Sequence, residues 1–371
     1  MGLYLHIPFC RKACHFCDFH FTVNLKGIDA LLLALQQEAE QASADWKQSS
    51  FDSVYLGGGT PGLLGPKRLG PLLEHMHRCF TLNPDAEITL ETNPDDLLEF
   101  GTEGWKALGI NRLSLGVQTL NPQVLANMNR AHTADQARRA LDLIEASGIP
   151  KVSVDLMFGM PGQGTQELIQ NAEELAARNI QHVSIYGLTV EKGTALERMV
   201  RLKQVELPEE DEVAEQYLAL NQALSKAGFE HYEVSNYARN GQRSLHNSAY
   251  WSGEDYLGLG PSAHSLKGDL RWFNRSSNAA YVQAMNGQGG IREPEELNAD
   301  QKINEWLLTR MRTVEGLGAA EALQRVGAKQ WSKWLELKQK FPDNWFQADR
   351  PLAFSPQGWL MMDGFLREAV L

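Results

Sequence analysis

The chain has 371 residues, 43% hydrophobic and 22% charged, and a formal net charge of −11. That is ordinary for a globular protein able to bury a core and to hold one large α/β domain with a smaller companion, and the negative balance argues against a broad nucleic-acid surface, which needs Lys and Arg to neutralise phosphates. No apolar run approaches the ~18 residues of a membrane span, the start MGLYLHIPFC lacks a signal-peptide layout, and His6 stands where a myristoylation signal needs Ser or Thr. Four cysteines, three of them clustered, do not form a secreted disulfide framework, so the expected location is cytoplasmic.

In chain order, strands are expected at LYLHI (3–7), SVYLG (53–57), EITLE (87–91), RLSLGVQ (112–118), KVSVDLMFG (151–159) and HVSIYGL (182–188). Amphipathic helical patterns lie between them, the clearest over 31–44 and 134–146. Strands alternating with helices imply right-handed crossovers and a parallel sheet, and six units predict an α/β fold, a barrel or an incomplete barrel. Gly57–Gly58–Gly59, Glu91, Gln118, Asp155, Tyr186 and Gly187 fall in or near the C-terminal ends of these strands, the rim where such folds build sites. Cys79 lies in a helical pattern among apolar residues and is read as core. After about residue 205 the rhythm changes. A long helix over 209–227 ends at Gly228, and residues 229–265 are dense in aromatics, glycine and histidine. NGQGG (286–290) reads as a joint, and 296–371 as a mostly helical module. The expected division is 1–232, 233–290 and a smaller, mostly helical C-terminal domain at 291–371.

Cys10, Cys14 and Cys17 fall within eight positions in HIPFCRKACHFCDFHF (6–21). A disulfide would use two of them and is disfavoured in the cytoplasm. A structural zinc site needs four closed ligands, so His6, His15 or His20 would have to complete it. Cys14 and Cys17 form a Cys-x-x-Cys, but the residues after Cys17 lack the helical start of a redox motif. A [4Fe–4S] cluster normally takes four thiolates, and three leave one iron free to bind a small molecule. Zinc and the cluster are the serious alternatives.

YLHIPFCRKACHFCDF resembles the cluster loop of the radical S-adenosylmethionine (SAM) family, in the branch that holds oxygen-independent coproporphyrinogen III dehydrogenase and related haem chaperones. The resemblance continues through LGGGTP (56–61), ETNP (91–94), SLGVQT (114–119), NR (129–130), VDLMFGMPGQ (154–163), HNSAYW (246–251) and YLGLGPSAHS (256–265). It implies a partial (β/α)6 barrel and a [4Fe–4S] cluster on Cys10, Cys14 and Cys17, with SAM chelating the open iron. It assigns Gly58, Gly59, Thr60, Glu91, Gln118, Arg130, Asp155 and Gly187 to SAM, with Tyr4 and Phe16 flanking cofactor and cluster. The chemistry suits: carboxylates accept from ribose hydroxyls or an amino group, and a guanidinium pairs with the methionine carboxylate.

Two departures separate the branches. The dehydrogenase has a fourth cysteine two positions after the third, where this chain has Phe19, and a segment before its first strand that helps close the active site, whereas only three residues precede Tyr4 here. Shielding the substrate from water matters to a radical decarboxylation, so both departures favour the chaperone branch. HNSAYW matches the HNxxYW motif associated there with haem binding. The resemblance therefore implies a haem carrier without dehydrogenase activity, with His246 as axial ligand, haem as cargo and haemoproteins as acceptors. A homodimer and a membrane-bound acceptor are both compatible with it. His264, in SAHS, is read as structural, with less to support it as a haem ligand than His246.

Overall fold

The computed structural model describes all 371 residues. β1 (Gly2–Ile7) leads through the cysteine loop to α1 (Ile28–Ser43), β2 (Ser50–Gly58), α2 (Gly65–Cys79), β3 (Thr81–Thr92), α3 (Pro94–Phe100) and α4 (Glu103–Ala107). Then come β4 (Arg112–Gln118), α5 (Pro122–Asn127), α6 (Ala134–Ser147), β5 (Lys151–Phe158), α7 (Thr165–Ala176) and β6 (His182–Gly187). The six strands pair in parallel in sequence order, and β1 and β6 are not neighbours, so the barrel is open.

The strands alternate with period two, and the two faces differ in chemistry. Leu3, Leu5 and Ile7, then Val54 and Leu56, Ile88 and Leu90, Leu113 and Leu115, Val152 and Val154, and Val183 and Ile185 all enter one core with the helices. The residues between them carry the polar groups. Tyr4, Ser53, Tyr55, Glu91, Ser114, Ser153, Asp155 and His182 hydrogen-bond or stack among themselves and with inserted side chains. A parallel sheet wrapped by helices tolerates a polar inner face only if each polar group finds a partner there.

The chain continues through α8 (Ala195–Arg201), α9 (Glu210–Lys226), β7 (Glu230–Glu233), β8 (Asn236–Ala238), α10 (Leu245–Ser252), β9 (Tyr256–Leu259), β10 (His264–Lys267), β11 (Leu270–Asn274), α11 (Asn278–Met285) and β12 (Arg292–Glu295). These strands extend the sheet to twelve. β9 adds in parallel to β1 and is followed outward by β10, β11 and β12, while β8 and β7 border β6. None of the six was expected from the sequence, because each has only three to five residues, too few for a period to declare itself. The segment 286–290 leads into β12 at the sheet edge. Beyond it α12 (Ala299–Arg310), α13 (Ala319–Lys338), α14 (Pro356–Leu360) and α15 (Met362–Ala369) close over a second core that includes Trp306, Trp334, Phe354 and Phe365. No helix is long and apolar enough to cross a membrane.

Candidate cofactor site

The cysteine loop is pinned from many sides. The Cys10 N–H donates to the Thr22 carbonyl (3.0 Å) and the Thr22 N–H to the Pro8 carbonyl (2.7 Å). The His15 N–H reaches the Met128 carbonyl (3.2 Å), Asn129 Nδ2 the Ala13 carbonyl (2.8 Å), and Arg11 Nε the buried Asp96 (2.7 Å). Beneath the loop lies the glycine turn. A Cβ on Gly59 would sit 2.7 Å from the backbone N and O of Phe9, and Gly58, at φ +108°, would push one to 2.6 Å from the His6 ring. Gly59 thus lets the turn press against the loop's own backbone and Gly58 lets it press against the His6 ring of β1, in addition to leaving room for a ligand. The Gly59 N–H donates to the Ile7 carbonyl (3.0 Å) and the Thr60 N–H to the Phe9 carbonyl (2.8 Å).

Loop and rim enclose a cavity of about 410 Å³. Cys10, Cys14, Cys17, Phe16, Gly58, Gly59, Thr60, Glu91, Gln118, Arg130, Asp155 and Gly187 all line it, so twelve of the fourteen residues that the resemblance assigns to cluster, SAM or haem are brought together. Tyr4 and His246 are not among the lining residues. Tyr4 lies inside the barrel, its hydroxyl 3.1 Å from His6 Nδ1 and its ring stacked on His246. His246 is 2% exposed, with Nδ1 2.9 Å from Ser53 Oγ and Nε2 3.1 Å from the Tyr250 hydroxyl. The expected free imidazole is therefore absent from this conformation: neither His246 nitrogen is available to iron. His264 lies on β10 with its ring exposed, stacked on Phe273, and is the one histidine of ten whose ring makes no hydrogen bond.

Arg130 is the pivot of the cavity. Its Nη2 donates to Asn93 Oδ1 (2.8 Å) and the Gly116 carbonyl (2.7 Å), and Nη1 lies 3.3 Å from Cys14 Sγ. Its Nε is buried and has no partner. Asn93 also donates from Nδ2 to Thr60 Oγ1 (3.2 Å), and Thr60 Oγ1 faces Cys10 Sγ at 3.7 Å. Asn93 was missed as an individual residue although the ETNP motif contains it, because one Asn in a strand–helix turn is ordinarily a cap. Gln118 holds φ +68° next to a register shift between β4 and β5, a strained backbone of the kind that clusters at ligand sites.

Two half-buried carboxyls line the cavity together. Glu91 accepts from the Tyr55 hydroxyl (2.8 Å) and the Gly58 N–H (3.2 Å), and burial, reinforced by Asp155, pushes its pKa up to about 7. Burial pushes Asp155 up to about 6 against the hydrogen bonds of Ser184 and Ser114. Burial also raises the Cys10 thiol to about 12 and Cys17 to about 11. No three His, Cys, Asp or Glu side chains converge closely enough to hold a single metal ion, while the three thiols share one cavity wall. Three thiols around a space, an unpartnered guanidinium nitrogen and two under-neutralised carboxyls fit a polynuclear cluster together with a small zwitterionic cation. The arrangement suits a cofactor-binding α/β protein, with a cysteine loop capping an open parallel barrel.

A model described as the radical SAM superfamily matches residues 4–202. The chain is 39% identical to a haem chaperone HemW of Mycobacterium tuberculosis, over 88% of this chain and 84% of the relative. It is 32% identical to the haem chaperone HemW of Bacillus subtilis, over 87% and 86% respectively. The fold matches the coproporphyrinogen III oxidase HemN of Escherichia coli with a TM-score of 0.82, at 24% identity, over all of this chain and 89% of that one. The chain belongs to the radical SAM superfamily and, within it, to the HemW family.

Proposed function

We propose that this protein is a haem chaperone that carries a SAM-coordinated [4Fe–4S] cluster and passes haem to acceptor haemoproteins. The observation that supports the cofactor part is the partnerless Arg130 Nε beside Cys14 in a cavity lined by all three clustered thiols. In this reading Cys10, Cys14 and Cys17 hold the cluster. Arg130 pairs with the SAM carboxylate, Glu91 and Asp155 take its amino and ribose groups, and Gly58, Gly59, Thr60, Gln118 and Gly187 shape its seat. When bound, the cluster supplies an open iron and one-electron chemistry. The chain's own residues bind and orient SAM and exclude water from it.

The carboxyls give this seat a pH dependence. Burial has raised both, so in the free protein each is partly protonated near neutrality, Glu91 with a pKa of about 7 and Asp155 of about 6. A ligand with net positive charge favours the ionised forms and releases protons on binding. SAM affinity is expected to rise from about pH 6 to about pH 8 and then level off, by roughly tenfold for one carboxyl titrating through the window. Equilibrium dialysis across that range is the check, and a flat profile would show that neither carboxyl faces the bound cation.

The relatives named HemW support the cargo part of the reading. His246 can reach iron only if α10 turns out of the barrel and gives up both hydrogen bonds. His264 already presents a free imidazole beside the flat Phe273 ring, 5.3 Å between centroids. An anaerobic hemin titration followed at the Soret band should show saturable binding in wild type and its loss in His264→Ala. Loss in His246→Ala instead would place the iron at α10 and require that helix to open. If wild type binds no hemin saturably, the carrier reading fails. Coproporphyrinogen dehydrogenation is the second reading, since a HemN enzyme shares the fold. Anaerobic formation of protoporphyrinogen and 5′-deoxyadenosine would establish it.

A further inference from the structure

His246 has no free nitrogen, yet it is built into the protein with unusual completeness. Ser53 and Tyr250 occupy its two ring nitrogens. The Tyr55 ring stacks on one side at 4.9 Å and 24°, Tyr4 stacks at 6.1 Å and 29°, and Tyr250 meets it edge-on at 5.0 Å. Behind it there is no slack, since a Cβ on Gly2 would lie 2.9 Å from His246 Nδ1. The imidazole is therefore a fixed wall against which Tyr55 rests.

Tyr55 has one hydrogen bond, and it goes to the cofactor cavity. Its hydroxyl donates to Glu91 Oε1 at 2.8 Å, and Glu91 Oε2 takes the Gly58 N–H of the glycine turn. Three links of direct contact thus run from α10 to the rim: imidazole to phenol ring, phenol hydroxyl to carboxylate, carboxylate to the glycine turn. Without the imidazole, the Tyr55 ring would face a cavity and could rotate its hydroxyl away from Glu91.

We propose that His246 is a positioning residue for SAM, holding Tyr55 so that its hydroxyl fixes Glu91 toward the cofactor, and that α10 is thereby coupled to SAM affinity. This rests on the reading of the cavity as the SAM seat. Because α10 follows β8 in the chain and packs on β2, the strand that carries Tyr55, any displacement of that helix would be felt at Glu91. The groups facing Glu91 are Tyr55 and the Gly58 N–H from β2, Asp155 from β5, Tyr4 from β1 and Tyr186 from β6. Of these side chains, the Tyr55 hydroxyl is the one that hydrogen-bonds the carboxylate and favours its ionised form. Losing it leaves Glu91 more protonated near neutrality.

The test is a double-mutant cycle on SAM binding to the cluster-reconstituted full chain, by equilibrium dialysis. His246→Ala and Tyr55→Phe should each weaken binding about tenfold, and the double variant no more than either alone, because both act through one hydrogen bond. In both single variants the pH midpoint of SAM binding should move upward, which a general loosening of the barrel would not produce. Circular dichroism verifies folding. If His246→Ala does not fold, Tyr250→Phe, which removes the Nε2 partner alone, takes its place in the cycle with the same non-additivity expected. Wild-type SAM binding unchanged by His246→Ala, or losses that multiply in the double variant, would overturn the proposal. Absence of SAM binding in wild type would instead overturn the reading of the cavity.

Discussion

Cys14→Ala should abolish the iron–sulfur cluster outright. After anaerobic reconstitution the wild type is expected to hold about four iron and four sulfide per chain, and the variant close to none, since a cluster reduced to two protein thiolates is held at too few corners to survive. Cys14 is the informative position because its thiol is the one the Arg130 guanidinium faces, at 3.3 Å, and its carbonyl accepts the Cys17 N–H at 3.3 Å. Iron and sulfide analysis with the visible absorbance of the cluster decides it. A full iron and sulfide count in Cys14→Ala would remove the cluster from these residues. One zinc per chain and no sulfide in the wild type would move the site to the structural-metal reading of the same loop.

Arg130→Leu should weaken SAM binding by about a hundredfold. One hydrogen bond to a charged group contributes roughly 1.5–3 kcal/mol, up to two orders of magnitude in affinity. The arginine also holds Asn93, which in turn holds Thr60, so the loss reaches past the cation itself. Arg130→Lys should recover only part of it, because an ammonium cannot reproduce the planar fork that here spans Asn93, the Gly116 carbonyl and Cys14. The comparison is made at equal cluster iron. A dissociation constant within about twofold of wild type in Arg130→Leu would show that the guanidinium has no part in SAM recognition.

The carboxyls also bear on the stability of the free protein. Glu91, raised to about 7 from an ordinary value of 4.5, binds its proton more tightly folded than unfolded. Its contribution is therefore present below the unfolded value and is lost as pH rises through the folded one. A bound cation offsets that loss, which makes the ligand a stabiliser chiefly at and above neutrality.

Period and spacing made the core of the fold legible in the chain. The six parallel strands were visible because each pairs aliphatic residues on one face with polar ones on the other, as in Val54–Tyr55–Leu56 and Val152–Ser153–Val154. The cysteine loop and the glycine turn were visible because their residue types are unusual at that density. Strand limits were less visible. β2 and β3 begin before the predicted stretches, at Ser50 and Thr81, since Ser50 and Phe51 pair with Thr81 and Leu82 ahead of a register shift, and Asn83, Pro84 and Asp85 within that shift carry no alternation. The six short strands from β7 to β12 were invisible for a related reason: they are stabilised by the sheet they join.

The parallel α/β core, the three thiols and most of the residues that meet around the cavity are thus already written in the order of the amino acids. Local periodicity places them at the ends of successive strands, and βαβ handedness leaves one way to bring those ends together. Three-dimensional packing was needed for the role of Asn93, the closeness of the glycine turn to the cysteine loop, and the fate of two histidines. His246 and His264 look alike as letters, each in a motif with aromatic neighbours. Packing buries one behind Ser53, Tyr55 and Tyr250 and leaves the other beside Phe273 with both nitrogens free. Burial and hydrogen-bond partners come from segments far apart in the chain, and no spacing along it encodes them.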